Sequence, residues 1–401
     1  MRLAIALILV MICSMAYPPA SVFAEVRAGL LARAGWDAIR AGRLDDATRA
    51  FQEAIAANPR EATLYLGSGL AAHLQGREAD ARQALEEALR LDKGLTPASL
   101  LLGDLAYRAG ELDRAIRVYE DALAVAPEHP QLRAQLDRWR NEAAVHGGFQ
   151  QALSPHFTVL FEGPAEQRLA ARAIEGLEAA YWRIGTTLVT YPPGVLTVVL
   201  YTDEQFRDIT RSPAWAGGAF DGKIRVPMRG ALDHPGELEK VLAHELTHAL
   251  VKSLASRGVP TWLDEGLAVM FEAGDLRWAE QSVRRAQALL PLHELQNGFV
   301  KLPQDQVLLA YAESGLAVQA LLDRGNGLSV AQFIQDLGQG AAFADALERR
   351  FFIAYDEFAA TWFQRLRATG LAPFRLGPVP LLHEAGGQSP ASEGQERRQS
   401  P

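Results

Sequence analysis

Val241-Leu-Ala-His-Glu-Leu-Thr-His248 contains His-Glu-x-x-His, and Thr261-Trp-Leu-Asp-Glu-Gly266 follows a short way on. On a helix, positions four apart lie one turn apart on one face, so His244 and His248 can aim both imidazoles at one metal ion. Glu245 sits beside them, directed at a water on that ion, and Glu265 offers an acidic third ligand. Three protein ligands leave a fourth position open, which distinguishes a catalytic Zn2+ site from a structural one. With nine histidines in 401 residues, the pattern arises by chance in roughly one such chain in a hundred.

Working outward, Gly236 to about Ala255 is predicted to be the helix that carries the two histidines, with Val241, Leu242, Leu246, Leu250 and Val251 on its buried side. A break at Arg257-Gly-Val-Pro260 follows. Thr261 with Asp264 then has the form of a capping box opening the next helix, which places Glu265 in its first turn. Upstream, Phe157 to Phe161 and Val195 to Tyr201 read as strands and Glu166 to Leu188 as a helix, a βαβ-like start. Ala219 to Pro227 has a turn centred on Asp221-Gly222 and a short strand ending at a proline, an expected edge hairpin. Downstream, Ser329 to Leu337 and Phe343 to Leu366 show helical spacing.

The chain in front of this region repeats itself at a period of about 34 residues. Gly35, Gly69 and Gly103 form one column; Gly42, Gly76 and Gly110 another; Phe51, Leu85 and Tyr119 a third; alanines at 47, 81 and 115 and at 54, 88 and 122 complete it. These columns resemble the tetratricopeptide repeat, and the resemblance implies three helix pairs over about 28 to 129. Small residues allow close helix approach while the large column fills the space between units. Pro59 and Pro127 end the second helix of their units; Lys93 replaces that proline, so the turn there is less sharply specified. Leu132, Leu136 and Trp139 at helical spacing suggest a terminal capping helix from Pro130 to Ala144.

Charge and composition narrow the class. An apolar fraction of 49% with 22% charged residues allows a sizeable core, and the net charge of −8 carries no basic block that would track a phosphate backbone, so nucleic acid is not an expected partner. Residues 1 to 24 have one positive charge at Arg2, an apolar stretch too short to span a bilayer, and small or aliphatic residues before a cut after Ala24. This is an expected signal peptide, which places the mature chain in the periplasm or outside the cell. The single cysteine, Cys13, lies within that segment, so any zinc must be held by nitrogen and oxygen. Pro, Gly, Ser, Gln and charge from 371 to 401 predict a disordered tail.

His244-Glu-Leu-Thr-His248 followed by Trp262-Leu-Asp-Glu265-Gly266-Leu-Ala268 resembles the gluzincin metallopeptidases, and more closely the peptidase-MA-like group often found behind tetratricopeptide repeats. The resemblance implies an α+β fold: an all-α repeat array over 25–145 with its capping helix, then a zincin-like mixed sheet and active-site helix over 150–370. It further implies zinc on His244, His248 and Glu265, with Glu245 as general base. The strand before the metal helix would form the rim of the cleft. Here that strand is Lys223, Ile224, Arg225 and Val226, whose free backbone groups would pair with an extended peptide. Tyr311, in a Tyr-x-x-Ser element similar to the family's, is the candidate donor to the developing oxyanion, with His293 a second choice. Trp262 is expected to pack beneath the metal. No Asp follows Glu265 by four residues, since Val269 stands there, so what orients the ligands stays open. No Gly-x-Met-x-Asn motif is present, which favours endopeptidase action. The expected function is an exported zinc metallopeptidase whose repeats recruit a substrate or partner. The alternative is a repeat-based scaffold with a non-catalytic metallopeptidase-like domain.

Overall fold

The structure is a computed structural model that describes residues 20–163, 166–210, 218–228, 235–296, 298–299 and 302–368. Most of the expected signal segment and the tail from 371 lie outside the described residues. The first described helix, α1 (Ala20–Arg40), begins ahead of the expected cut after Ala24. No described helix is long and apolar enough to cross a membrane.

Helix α1 pairs with α2 (Leu44–Ala57), α3 (Ala62–Leu74) with α4 (Glu78–Leu91), and α5 (Thr96–Arg108) with α6 (Leu112–Val125). Gly42, Gly76 and Gly110 turn each pair with φ of +72°, +73° and +80°, a left-handed conformation that a side chain resists. The other glycine column acts by contact. A Cβ on Gly103 would lie 2.2 Å from the Tyr119 ring, one on Gly35 2.8 Å from Phe51, and one on Gly69 2.9 Å from Leu85. Phe51 also presses on Gly67 of the following unit, so the large column joins neighbouring repeats as well as the helices of its own. Where Lys93 replaces proline, the Asp92 carboxylate accepts from the Gly94 amide at 2.8 Å and fixes the turn instead. The capping helix α7 (Pro130–His146) buries Leu132, Leu136 and Trp139, and also Glu142.

A five-stranded mixed sheet follows, in the order β1-β2-β3-β5-β4. Strand β2 (Phe157–Glu162), helix α8 (Gln167–Leu188) and β3 (Leu196–Tyr201) form the expected βαβ unit, its strands parallel. Strand β1 (Phe149–Leu153) was not expected, because Phe-Gln-Gln-Ala-Leu has no alternation of apolar and polar residues; it pairs antiparallel at the sheet edge. A short helix α9 (Asp203–Thr210) comes after β3, and then a hairpin of β4 (Ala219–Phe220) and β5 (Ile224–Pro227).

The hairpin corrects one expectation. Strand β5 is interior, lying between β3, to which it is parallel, and β4, which the Asp221-Gly222 turn folds back onto Ile224 and Arg225. Lys223, Ile224, Arg225 and Val226 are all buried, so they do not offer the free rim expected of them. Among the described strands, that edge belongs to Ala219–Phe220.

The metal-helix candidate α10 (Pro235–Leu254) packs against α8, β5 and α11 (Thr261–Ala273), with Leu242, Leu246, Leu250 and Val251 buried as expected and Val241, expected beside them, half-buried on the cleft instead. Helices α12 (Arg277–Arg285), α13 (Gln304–Arg324), α14 (Gly327–Gly338), α15 (Phe343–Phe351) and α16 (Tyr355–Ala368) complete the unit. Helices α11 and α13 touch through glycine: a Cβ on Gly266 would stand 2.4 Å from the Ser314 carbonyl oxygen.

Candidate metal centre

His244 and His248 project from one face of α10 with their rings 4.8 Å apart, and Glu265 reaches them from the first turns of α11. The Glu265 Oε2 atom is 3.6 Å from the Nε2 of His244 and 3.6 Å from the Nε2 of His248. That atom is buried and has no hydrogen-bond partner. An orphaned buried carboxylate oxygen is costly, and 3.6 Å is too long for hydrogen bonds that would relieve it. It is near the ~3.4 Å that separates ligand atoms each about 2.05 Å from a tetrahedral zinc. Among the described residues, these three form the one group of His, Cys, Asp or Glu side chains able to share a metal ion.

The Nδ1 atoms settle which ring nitrogens are available. His244 Nδ1 donates to the Glu272 carboxylate at 3.0 Å, and His248 Nδ1 donates to Asp264 at 2.8 Å. A carboxylate only accepts, so each imidazole keeps a proton on Nδ1, and Nε2, which faces the other ligands, is the atom that would yield its proton to a metal. The capping-box expectation is thereby corrected. Pro260, not Thr261, is the residue before the helix, and no side chain caps it. The Asp264 carboxylate is engaged by an imidazole instead. Asp264 and Glu272 are the orienting residues left open above; Glu272 lies two helical turns beyond Glu265, on the same face, and this spacing was the available signal.

Four carboxylates surround the two imidazoles, and the protonation equilibria register the excess. Burial opposes charge on His244, yet the Glu265 and Glu272 carboxylates outweigh it and push the imidazole up to about 10. His248 is raised too, with burial overcome by Asp264 and Glu265. A cluster that holds protons this firmly is matched to a dication. The donor set is wholly nitrogen and oxygen, as expected for zinc without thiolates.

Glu245 stands beside the ligands, only 5% exposed, and burial raises its carboxyl above the usual range while the two imidazoles pull it back. Its position depends on a residue that carries no motif. A Cβ on Gly218 would lie 2.6 Å from the Glu245 Oε1 atom, so glycine lets the chain entering β4 close over this carboxylate.

The centre opens into a cleft of ≈ 750 Å³. Gly218, Ala219 and Phe220 form one wall; Trp278, Leu308 and Tyr311 stand on helices α12 and α13. Tyr311 packs edge-on to Phe299 at 5.1 Å, and burial together with Glu265, Glu245 and Glu272 pushes its hydroxyl proton to higher pH, so it stays a donor. His293 is exposed on the turn before residues 294–296, away from the cleft lining. Trp262 is fully buried against Phe343 and does not line the cleft; Trp278 does, though nothing in its spacing marked it. Lys223 to Val226 lie behind the wall rather than on it.

Residues 195–368 match the Peptidase MA superfamily. Residues 32–95 and 72–136 match two tetratricopeptide repeat families. The chain is 41% identical over 66 residues to the cellulose synthase operon protein C of Komagataeibacter xylinus, covering 16% of this chain and 5% of that protein. It is 34% identical over 110 residues to the photosystem I assembly protein Ycf3 of Synechococcus sp. (strain CC9605), covering 26% of this chain and 63% of that one. The chain thus spans less than two thirds of either relative. A solved structure of the first TPR of Spaghetti (RPAP3) bound to an HSP90 peptide aligns with 30% of this chain and 98% of its own, at 21% identity and a TM-score of 0.29.

Proposed function

From tetratricopeptide repeats joined to a Peptidase MA superfamily domain as premise, we propose that the chain is an exported zinc-dependent endopeptidase. His244, His248 and Glu265 are its metal ligands and Glu245 its general base. The observation that carries this reading is the orphaned, buried Glu265 Oε2 atom, equidistant from two Nε2 atoms whose rings are each fixed by a carboxylate.

Bound by these residues, zinc supplies Lewis acidity that polarises a carbonyl and acidifies water. The Glu245 carboxylate takes a proton from the attacking water and returns it to the departing amine, a task suited to a buried carboxyl whose affinity for protons is raised. Tyr311 donates to the carbonyl oxygen as negative charge gathers there. Phe220, Val241, Val269 and Trp278 give the cleft apolar walls for side chains, and the Ala219–Phe220 edge favours an extended peptide laid beside it. Asp264 and Glu272 hold the ligands, so they act on metal affinity rather than on substrate. The repeats recruit the protein that is cut, or a partner that delivers it.

The test is metal content together with one substitution. Purified protein is expected to carry one zinc per chain, and Glu245→Gln to retain it while hydrolysis of an unstructured protein substrate falls by at least 10³-fold. A zinc-free preparation, or a variant that cleaves as fast as the parent, overturns the reading.

A further inference from the structure

The hairpin that walls the cleft is held from behind by the repeat array. Gly218, Ala219 and Phe220 face the cleft, with Gly218 against Glu245. The turn then brings Gly222, at φ +105°, so near the third repeat that a Cβ there would stand 2.9 Å from the Arg108 Cα. Along the returning strand the side chains alternate. Ile224 and Val226 enter the core that contains Leu242 and Leu246 of the metal helix. Lys223 and Arg225 turn the other way and meet Glu142 of the capping helix.

That meeting is fully buried. Lys223 Nζ donates to Glu142 Oε1 at 2.9 Å, and Arg225 donates to the same carboxylate at 3.0 and 3.2 Å. Tyr107 of the third repeat donates to Glu142 at 2.6 Å and also accepts from Arg225. Arg225 completes its contacts with Asp221 at 3.0 Å and the Tyr201 hydroxyl at 2.6 Å. Two cations and two carboxylates balance. Burial alone would raise the Glu142 carboxyl, but Arg225 and Lys223 hold it down at about 2.

Apolar side chains of similar volume would stabilise such a joint at least as well, since buried ion pairs repay little of their desolvation cost. What charges and hydrogen bonds add is a single permitted register. We infer that the repeat array is part of the active site's architecture: Glu142, supported by Tyr107, is a positioning residue that sets the β4–β5 hairpin, and through it Gly218 and Phe220, against Glu245. This rests on the peptidase reading above and adds that the repeats shape the cleft as well as recruiting to it.

The experiment uses the full zinc-loaded chain, with Glu142→Gln, Tyr107→Phe and, as a control, Glu53→Gln on the exposed face of the first repeat. Turnover of a quenched fluorescent peptide, normalised to bound zinc, is read beside deuterium uptake at residues 218–228. Glu142→Gln is expected to raise uptake in that segment, leave the core of the metal helix protected and lower normalised turnover about tenfold, with Tyr107→Phe smaller in the same direction. If Glu142→Gln does not fold, Tyr107→Phe decides by the same two readouts. Unchanged uptake, or higher uptake with unchanged turnover, overturns the proposal. A parent that binds zinc but cuts no peptide removes the peptidase reading instead; raised uptake in the variants would then still show the hairpin keyed to the repeats.

Discussion

Glu313 is a fully buried carboxyl on α13, two residues past Tyr311, and the Leu290 amide donates to it at 3.0 Å. Burial pushes its pKa up to about 8 from an ordinary 4.5, with the Leu290 hydrogen bond pulling the other way. The folded chain therefore holds this proton more tightly than the unfolded chain. The stability it contributes is whole below about pH 4.5 and drains away as pH climbs towards 8, because the unfolded carboxyl ionises first. Glu313→Gln should keep the shape and remove that slope. Melting curves of parent and variant are expected to converge near pH 5 and to separate by pH 8, the variant being more stable there by on the order of 3 kcal/mol. Parallel curves across that range would show that Glu313 is ionised throughout. Residues of this kind are invisible to spacing, since a glutamate inside a helix gives no sign of its burial. His244 and His248 were legible because one helical turn puts them on the same face, while Glu245 and Glu265 were picked out by their place in the motif and by the family resemblance. Asp264 was misread because Thr-x-x-Asp has the form of a capping pair, whereas its carboxylate found an imidazole that binds it more strongly than a backbone amide.

Among the elements, the contact of α11 with α13 decides whether Glu265 arrives at the histidines. Gly266 adjoins that ligand, and its missing side chain lets the helices close to where a Cβ would stand 2.4 Å from the Ser314 carbonyl oxygen; Gly315 repeats the device against Val269 at 2.9 Å. Backbone cannot swing aside as a side-chain tip can. Gly266→Ala is expected to cost about 1–3 kcal/mol through overpacking and to weaken zinc binding, because helix displacement moves Glu265 first. Competition against a chelator and a thermal melt would check both; an alanine variant with parental zinc affinity would mean that α11 shifts without carrying its ligand. Elements of strong period were readable: the repeat columns implied helix pairs, the spacing of Leu132, Leu136 and Trp139 the cap, and length and residue type β2-α8-β3, whereas the turn role of Gly42, Gly76 and Gly110 emerged only from their positive φ. The order of strands was not. Alternation tells which face a residue takes but says nothing of which strand lies alongside, so β5 was assigned an edge that the two residues of β4 occupy.

For the whole molecule, the family resemblance suggested that Lys223 to Val226 face substrate as the rim of the cleft, whereas Lys223 and Arg225 are tied to Glu142, more than eighty positions earlier. No periodicity connects residues so distant, and only the docking of repeats on sheet brings them together. That docking makes a prediction about metal removal. A ligand that binds only the folded state stabilises it by RT ln(1 + [L]/Kd), about 2.7 kcal/mol at a hundredfold excess over Kd. For a chain of this size melting as one unit that corresponds to a shift of roughly 3–4 °C in melting temperature. Zinc would contact only α10 and α11, and no residue of the repeats is among its ligands. If the Glu142 cluster couples the parts, calorimetry of zinc-loaded and chelated parent should show one transition that moves as a unit. In Glu142→Gln the repeats should melt separately, in a transition that ignores zinc while the mixed-sheet part still responds. Two transitions in the parent, with only one sensitive to chelation, would show that the repeats and the metal site share a chain but not a folding unit.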